Sequence, residues 1–268
     1  MSNFLNIAEM IAYQAGAILR EGFKNEKSFR DKGDNDLVTD IDLHSEDFIL
    51  SALKREFPDH GILAEETGLI EGHSHYQWVI DPLDGTINFV HGLPFFSISI
   101  CLLKEKKPTI GVVYDPMLDE LYSAELGHGS TLNKKPIRVS NTSKLRQALV
   151  STGFPTDIST NPNNNLSQFS LFHNRVRSVR GVGSAALNCA WVARGGFDGY
   201  WEIGIKPWDV SAGAFIVLEA GGRVTTTDGS EYNSSHNSLL ASNGHIHNQM
   251  LQVLQEGSDA PLQEPPKT

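Results

Sequence analysis

The stretch Trp78-Val79-Ile80-Asp81-Pro82-Leu83-Asp84-Gly85-Thr86-Ile87-Asn88-Phe89 constrains this chain more than any other segment. An apolar run that ends on an acid reads as a buried strand delivering a carboxylate at its C-terminal end. Pro82 lacks an amide donor and is expected to stop the ladder there. Asp84 follows across a tight turn, and Gly85 and Thr86 open a short helix. Such a segment aims two carboxylates and a backbone carbonyl at one spot beside free helix amides. Hard cations such as Mg2+ take oxygen ligands of this kind, and a phosphate takes the amides. Alone, the pattern also describes an acid-rich turn open to solvent.

Further acids weigh against that bland reading. Glu65-Glu66-Thr67 closes the strand-like run that precedes the stretch, and Asp42 falls in the first turn of a helix after Leu37-Val38-Thr39-Asp40-Ile41. Far downstream, Trp208-Asp209-Val210-Ser211-Ala212-Gly213 places an acid at the opening of an apolar helix. Element ends are where α/β folds gather ligand sites. Carboxylates brought together there repel one another unless cations lie between them.

Composition bounds the function classes. The 268 residues suit one large domain or two closely joined ones, and 40% hydrophobic content supports a sizeable core. A formal net charge of −10 argues against coating nucleic acid, which needs a basic face. It does not exclude phosphorylated small molecules, because bound cations can supply the positive charge. Cys101 and Cys189 sit in apolar stretches and read as buried thiols, too few for a disulfide framework. The N-terminal residues lack a secretion signal, and no apolar run approaches the ~20 residues of a membrane helix. A cytoplasmic setting with no membrane partner is the expectation.

Apolar spacing predicts a helix over residues 3–24, a polar mobile loop over 25–38 and a second helix capped by Thr39 or Asp40. Residues 95–103, 109–114 and 120–125 read as an antiparallel meander, and beyond about 145 strands and helices alternate. This change sets expected subdomains at 1–145 and 146–255, followed by a disordered tail at 256–268. His245 and His247 are expected at the surface and Trp191 in the core. Lys32 receives no role.

The motifs at 36–42, 65–67, 78–89 and 208–213 resemble, in order and spacing over roughly residues 3–255, those of the inositol monophosphatase family. The resemblance implies a layered α-β-α-β-α sandwich, an α/β fold of the sugar-phosphatase type, usually a homodimer. It implies lithium-sensitive, Mg2+-dependent hydrolysis of a phosphate monoester, with two to three Mg2+ per site. Carried onto this chain, Glu65, Asp81 and the Leu83 carbonyl would hold one metal. Asp81, Asp84 and Asp209 would hold a second, and Glu65 would share a third. Thr86, supported by Asp42, would activate the attacking water, and the Gly85 and Thr86 amides would bind phosphate. Ser184, Ala185 and Glu202, with Asp84 and Asp209, would meet the substrate, and Lys206 could draw in anions. Asp40 departs from the family pattern and is read as a helix cap.

Inositol 1-phosphate is the leading substrate on this reading. Histidinol phosphate and nucleotide or sugar bisphosphates are alternatives within the same fold. An alternative of another class is a regulatory protein acting through a partner such as the transcription machinery.

Overall fold

The computed structural model describes residues 3–25, 29–33 and 36–258. Helix α1 (Asn3–Lys24) and helix α2 (Asp40–Glu56) flank a hairpin of β1 (Phe29–Gly33) and β2 (Asp36–Thr39). The polar loop expected over 25–38 is therefore corrected where it is described: alternate pairing of Phe29 with Thr39 and Arg30 with Val38 makes it a ribbon. Of the disordered tail expected at 256–268, residues 256–258 are corrected to helix, and 259–268 lie outside the described residues, as does the Lys32 side chain.

The next elements build a large sheet. They are β3 (Gly61–Ala64), β4 (Gly68–Ile70), β5 (Tyr76–Asp84), helix α3 (Thr86–Val90), β6 (Ser97–Lys104), β7 (Lys107–Asp115), β8 (Glu120–Glu125), β9 (Gly129–Leu132) and β10 (Lys135–Ile137). Their order across the sheet is β10-β9-β8-β7-β6-β5-β3-β4. Neighbours run antiparallel except β3 and β5, which are parallel. Pro82 does not end β5 as expected. Pairing lapses between Asp81 and Asp84 and resumes where Asp84 faces Ser97, so the proline sits in a bulge. The bulge lets one strand present both acids.

A second sheet forms from β11 (Leu149–Thr152), β12 (Ser178–Arg180), β13 (Gly199–Ile203), β14 (Arg223–Thr225) and β15 (Ser238–Ser242), in the order β12-β11-β13-β15-β14. Helices α4 (Leu166–Arg175), α5 (Ala185–Ala193), α6 (Pro207–Glu219) and α7 (His247–Ser258) complete the chain. The chain crosses from the first sheet to the second between Ile137 and Leu149.

Strand alternation decides the layers. On β5, Trp78 and Ile80 face α1 and α2, whereas Val79 faces the other way, toward α5 and α6. On β13, Tyr200 faces those same two helices, while Trp201 turns outward to α4 and α7 and stacks on Phe172 with ring centroids 4.0 Å apart. Helices α5 and α6 are buried between two sheets, which explains why their sequences are apolar nearly all round. The result is the layered α-β-α-β-α sandwich, with the site acids at the ends of its central elements. Cys101 and Cys189 are both buried, and burial pushes both thiols up.

His247 corrects a surface expectation: it is fully buried, whereas His245 is exposed. Its ring bridges Thr225 Oγ1 at 3.0 Å and Ser242 Oγ at 2.8 Å, tying α7 to the edge of the second sheet. Burial, aided by Arg223, lowers its pKa to about 4. A depressed histidine pKa stabilises the fold above the unfolded value of about 6.5 and loses that stability as pH falls through the folded value. His247→Gln should therefore flatten the difference in melting temperature between pH 6.5 and pH 4 that wild type shows, as read by calorimetry.

Candidate active site

Helix α2 organises the site before any acid of β5 is considered. Thr39 is its N-cap, accepting from the amides of Ile41 and Asp42, and Asp42 returns the bond by accepting from the Thr39 amide at 2.9 Å. This capping box buries Asp42 completely. Asp40 is not the cap; it stands exposed in the first turn, 3.5 Å from Arg30. One turn on, the Ser45 hydroxyl donates to the Pro82 carbonyl at 3.0 Å. The buried Glu46 carboxylate accepts from the amides of Glu66 at 2.9 Å and Thr67 at 2.7 Å. Glu46 thus fixes the turn that carries Glu65. Sequence reading missed Ser45 and Glu46, although their i+3 and i+4 spacing from Asp42 puts all three on one helix face.

The Thr86 hydroxyl lies 2.9 Å from Asp42 Oδ1 and 3.1 Å from the Leu83 carbonyl. Gly85 precedes it at φ +102°, a left-handed conformation suited to glycine. A Cβ at Gly85 would come within 3.0 Å of the Gly183 carbonyl and 3.2 Å of the Phe95 carbonyl. Asn88, also missed in the sequence, locks this turn by donating to the carbonyls of Phe95 and Val182, both at 2.7 Å.

Asp81 is buried, and its Oδ1 accepts from the Leu83 amide at 3.0 Å. Asp84 sits on the N-terminus of α5, accepting from the amides of Ala185 at 3.0 Å and Ala186 at 2.9 Å and from the hydroxyls of Ser184 and Ser97. Asp209 accepts from the Lys206 amide at 2.7 Å at the start of α6, while the Lys206 side chain is exposed. Burial is the main cause that raises the pKa of Asp81, and Glu65, Asp84 and Asp209 raise it further. Burial likewise raises Asp84, against the pull of its hydrogen bonds. Asp209 rises by burial and by the charges of Asp84, Glu65 and Glu202. Asp42 rises by burial, opposed by Thr39 and Thr86.

Glu65, Asp81, Leu83, Asp84, Gly85, Thr86, Asn88 and Asp209 line one cavity of about 300 Å3, together with Gly153, Phe154, Thr156, Ser184, Ala185 and Glu202, while Asp42 stands behind Thr86. Glu65, Asp81, Asp84, Glu202 and Asp209 face it with no Lys, Arg or His among the described lining residues. Among the described residues, no three acid, histidine or cysteine side chains close on a common point as a finished metal cage. Asp84 and Asp209 accept from amides at the starts of α5 and α6, which offsets part of the repulsion among the acids. Trp191 is half-buried against Phe95 and Phe197 and does not line the cavity.

The sequence model of the inositol monophosphatase family matches residues 1–259. The chain belongs to that family. It is 44% identical to inositol monophosphatase 3 of Solanum lycopersicum over 96% of this chain and 98% of that one. It is 41% identical to the Nus factor SuhB of Pasteurella multocida over 92% and 91%. The solved inositol monophosphatase of Anabaena (Nostoc) superposes with a TM-score of 0.87 at 43% identity, covering 94% of this chain and 95% of that one. This inositol monophosphatase family member is a phosphatase, and the acid-lined cavity is the candidate place for its chemistry. Among the described residues no helix is long and apolar enough to cross a membrane.

Glu46 provides a direct check on how the site is held. Glu46→Gln replaces one acceptor oxygen with a donor facing an amide. Phosphatase activity should fall about 10–100-fold, as for other residues that orient ligating groups. The protein should still melt cooperatively, and amide exchange at Glu66 and Thr67 should accelerate.

Proposed function

We propose that this phosphatase hydrolyses myo-inositol 1-phosphate and related monophosphates to alcohol and phosphate in a Mg2+-dependent reaction. The observation that carries the reading is the cavity faced by five carboxylates, with no basic side chain among its described lining residues. An anionic substrate gains nothing by entering such a place unless cations accompany it. The donor set is all oxygen, which suits a hard divalent ion. Glu65, Asp81 and the Leu83 carbonyl would hold one Mg2+, Asp81, Asp84 and Asp209 a second, and Glu65 a share of a third. When bound, Mg2+ would neutralise the phosphoryl oxygens and acidify water.

The chain's own groups supply position and proton transfer. The Thr86 hydroxyl has acceptors in Asp42 and the Leu83 carbonyl, so its proton is directed inward and its lone pairs remain for a water proton. Asp42 is the acceptor at the end of that relay. The Gly85 and Thr86 amides would bind the phosphate, and their turn is rigid because Asn88 holds it. Ser184, Ala185 and Glu202 would frame the alcohol. Lithium inhibition, a homodimer and a cytoplasmic setting complete the proposal by family resemblance. A second, regulatory role through the transcription machinery is supported by the relative named Nus factor SuhB. Partner capture that survives loss of turnover would establish it.

Three outcomes test the catalytic reading. A phosphate-release screen over monoesters should give inositol 1-phosphate the highest kcat/KM, and chelator should abolish turnover. Full activity after exhaustive chelation would overturn the metal requirement.

The second test reads stability. Asp81, Asp84 and Asp209 have folded pKa values raised above the unfolded value of about 3.9. Stability from such groups is present at low pH and lost as pH rises through the folded values. Chelated protein should accordingly lose stability as pH rises from 4 to 8, and Mg2+ should restore more of it at pH 8. Asp81→Asn should lower activity about 10³-fold and shrink the Mg2+-induced rise, yet melt no lower than wild type in chelator.

The third test concerns water. Thr86→Ala should lower kcat strongly and leave KM within a few-fold, because water activation matters mainly in the transition state. A kcat near wild type would remove Thr86 from that role.

A further inference from the structure

Tyr200 is a wholly buried phenol beside the cavity that no step above uses. Its hydroxyl donates to Glu202 Oε2. Burial and the neighbouring Glu202 charge push the phenol well up, so it stays protonated and remains a donor. The Glu202 carboxylate faces the cavity, and its other oxygen accepts no hydrogen bond from the described residues. On its second side Glu202 meets the backbone of Gly153, where an added Cβ would overlap the carboxylate. Only glycine permits that approach.

A second layer holds Gly153 itself. Asn165, buried and at φ +69°, donates to the Gly153 carbonyl at 2.7 Å and to Thr152 Oγ1 at 2.8 Å. Its Oδ1 accepts from Trp201 Nε1 at 2.6 Å, and Thr152 Oγ1 donates to the Trp201 carbonyl at 2.7 Å. Trp201 stands between Tyr200 and Glu202 in β13, so one asparagine joins the Gly153 wall to the strand that carries Glu202. Both donors of Asn165 are spent, which leaves no slack in the network.

We propose that Tyr200 and Asn165 are positioning residues that clamp Glu202 between the phenol and Gly153, so that its free oxygen reads the hydroxyls of the leaving alcohol. The inference rests on the reading above that Glu202 meets the alcohol. A carboxylate held in one rotamer has no side-chain freedom left to lose when a polyol binds, and this favours polyols over leaving groups with no hydroxyl besides the ester oxygen. A hydroxyl-free leaving group gains nothing from the clamp.

The experiment uses the full chain with Mg2+ and two substrates, myo-inositol 1-phosphate and p-nitrophenyl phosphate. The quantity read is the ratio of their kcat/KM values in wild type, Tyr200→Phe, Asn165→Asp, Glu202→Gln and the Tyr200→Phe/Glu202→Gln double variant. Tyr200→Phe should lower the ratio about fivefold or more, chiefly by raising KM for the inositol ester. Asn165→Asp should shift it in the same direction; if that variant fails to fold, Tyr200→Phe decides. The double variant should lose no more selectivity than Glu202→Gln, because both changes remove one device.

An unchanged ratio in Tyr200→Phe beside a lowered ratio in Glu202→Gln would overturn the clamp and leave the role of Glu202 standing. Equal losses on both substrates in Tyr200→Phe would reduce Tyr200 to structural support and also overturn it. An unchanged ratio in Glu202→Gln would overturn the reading of Glu202 and the clamp together.

Discussion

Three polar side chains on one buried face of α2 hold the site together. Asp42 faces Thr86, Ser45 holds the Pro82 carbonyl, and Glu46 holds the amides of Glu66 and Thr67. Buried polar groups are costly unless each finds a partner, and these find theirs only in one placement of the helix. A shift of α2 would release the β5 bulge and the Glu65 turn together. The helix is in turn packed through Ile49 and Leu53 onto the core under the large sheet, so hydrophobic burial sets the position that the polar face uses.

Electrostatics around the cavity work against the fold. Carboxylates from β5, the turn after β3, β13 and α6 converge on it with no basic side chain among the described lining residues. Helix N-termini relieve part of that repulsion: α5 presents two amides to Asp84, and the start of α6 presents one to Asp209. The rest remains as raised pKa values. Stability given up at one place in exchange for binding chemistry is a common feature of enzyme sites. In the proposed reaction, the excess negative charge is what would draw divalent cations into the cavity.

The second sheet contributes what the first cannot. Helices α5 and α6 lie between the sheets; the N-terminus of α5 meets Asp84 of β5, α6 opens with Asp209, and β13 brings Glu202 to the same cavity. The wall proposed to meet the alcohol is thus built on a scaffold separate from the Asp81–Thr86 turn. Changes in the Gly153 and Asn165 region can alter which alcohol is read without disturbing the groups proposed to act on phosphate.

The local signals in the sequence were strong where chemistry and chain direction coincide. The run Trp78–Phe89 has an apolar strand, a proline, two acids and a glycine in an order that few structures satisfy, and Asp209 opens a helix that propensity alone suggests. The order and spacing of these motifs therefore determined the family, the sandwich and the acids at element ends. Tertiary structure decided the rest. Pairing with Ser97 carries β5 past Pro82, and partners in Thr225 and Ser242 bury His247, which looks like a surface residue by sequence. Thr39 rather than Asp40 caps α2 because the returned bond from Asp42 is available only to Thr39. The anchoring roles of Glu46 and Asn165 depend on amides and carbonyls far along the chain, and a side chain's identity carries no record of which distant backbone group will meet it.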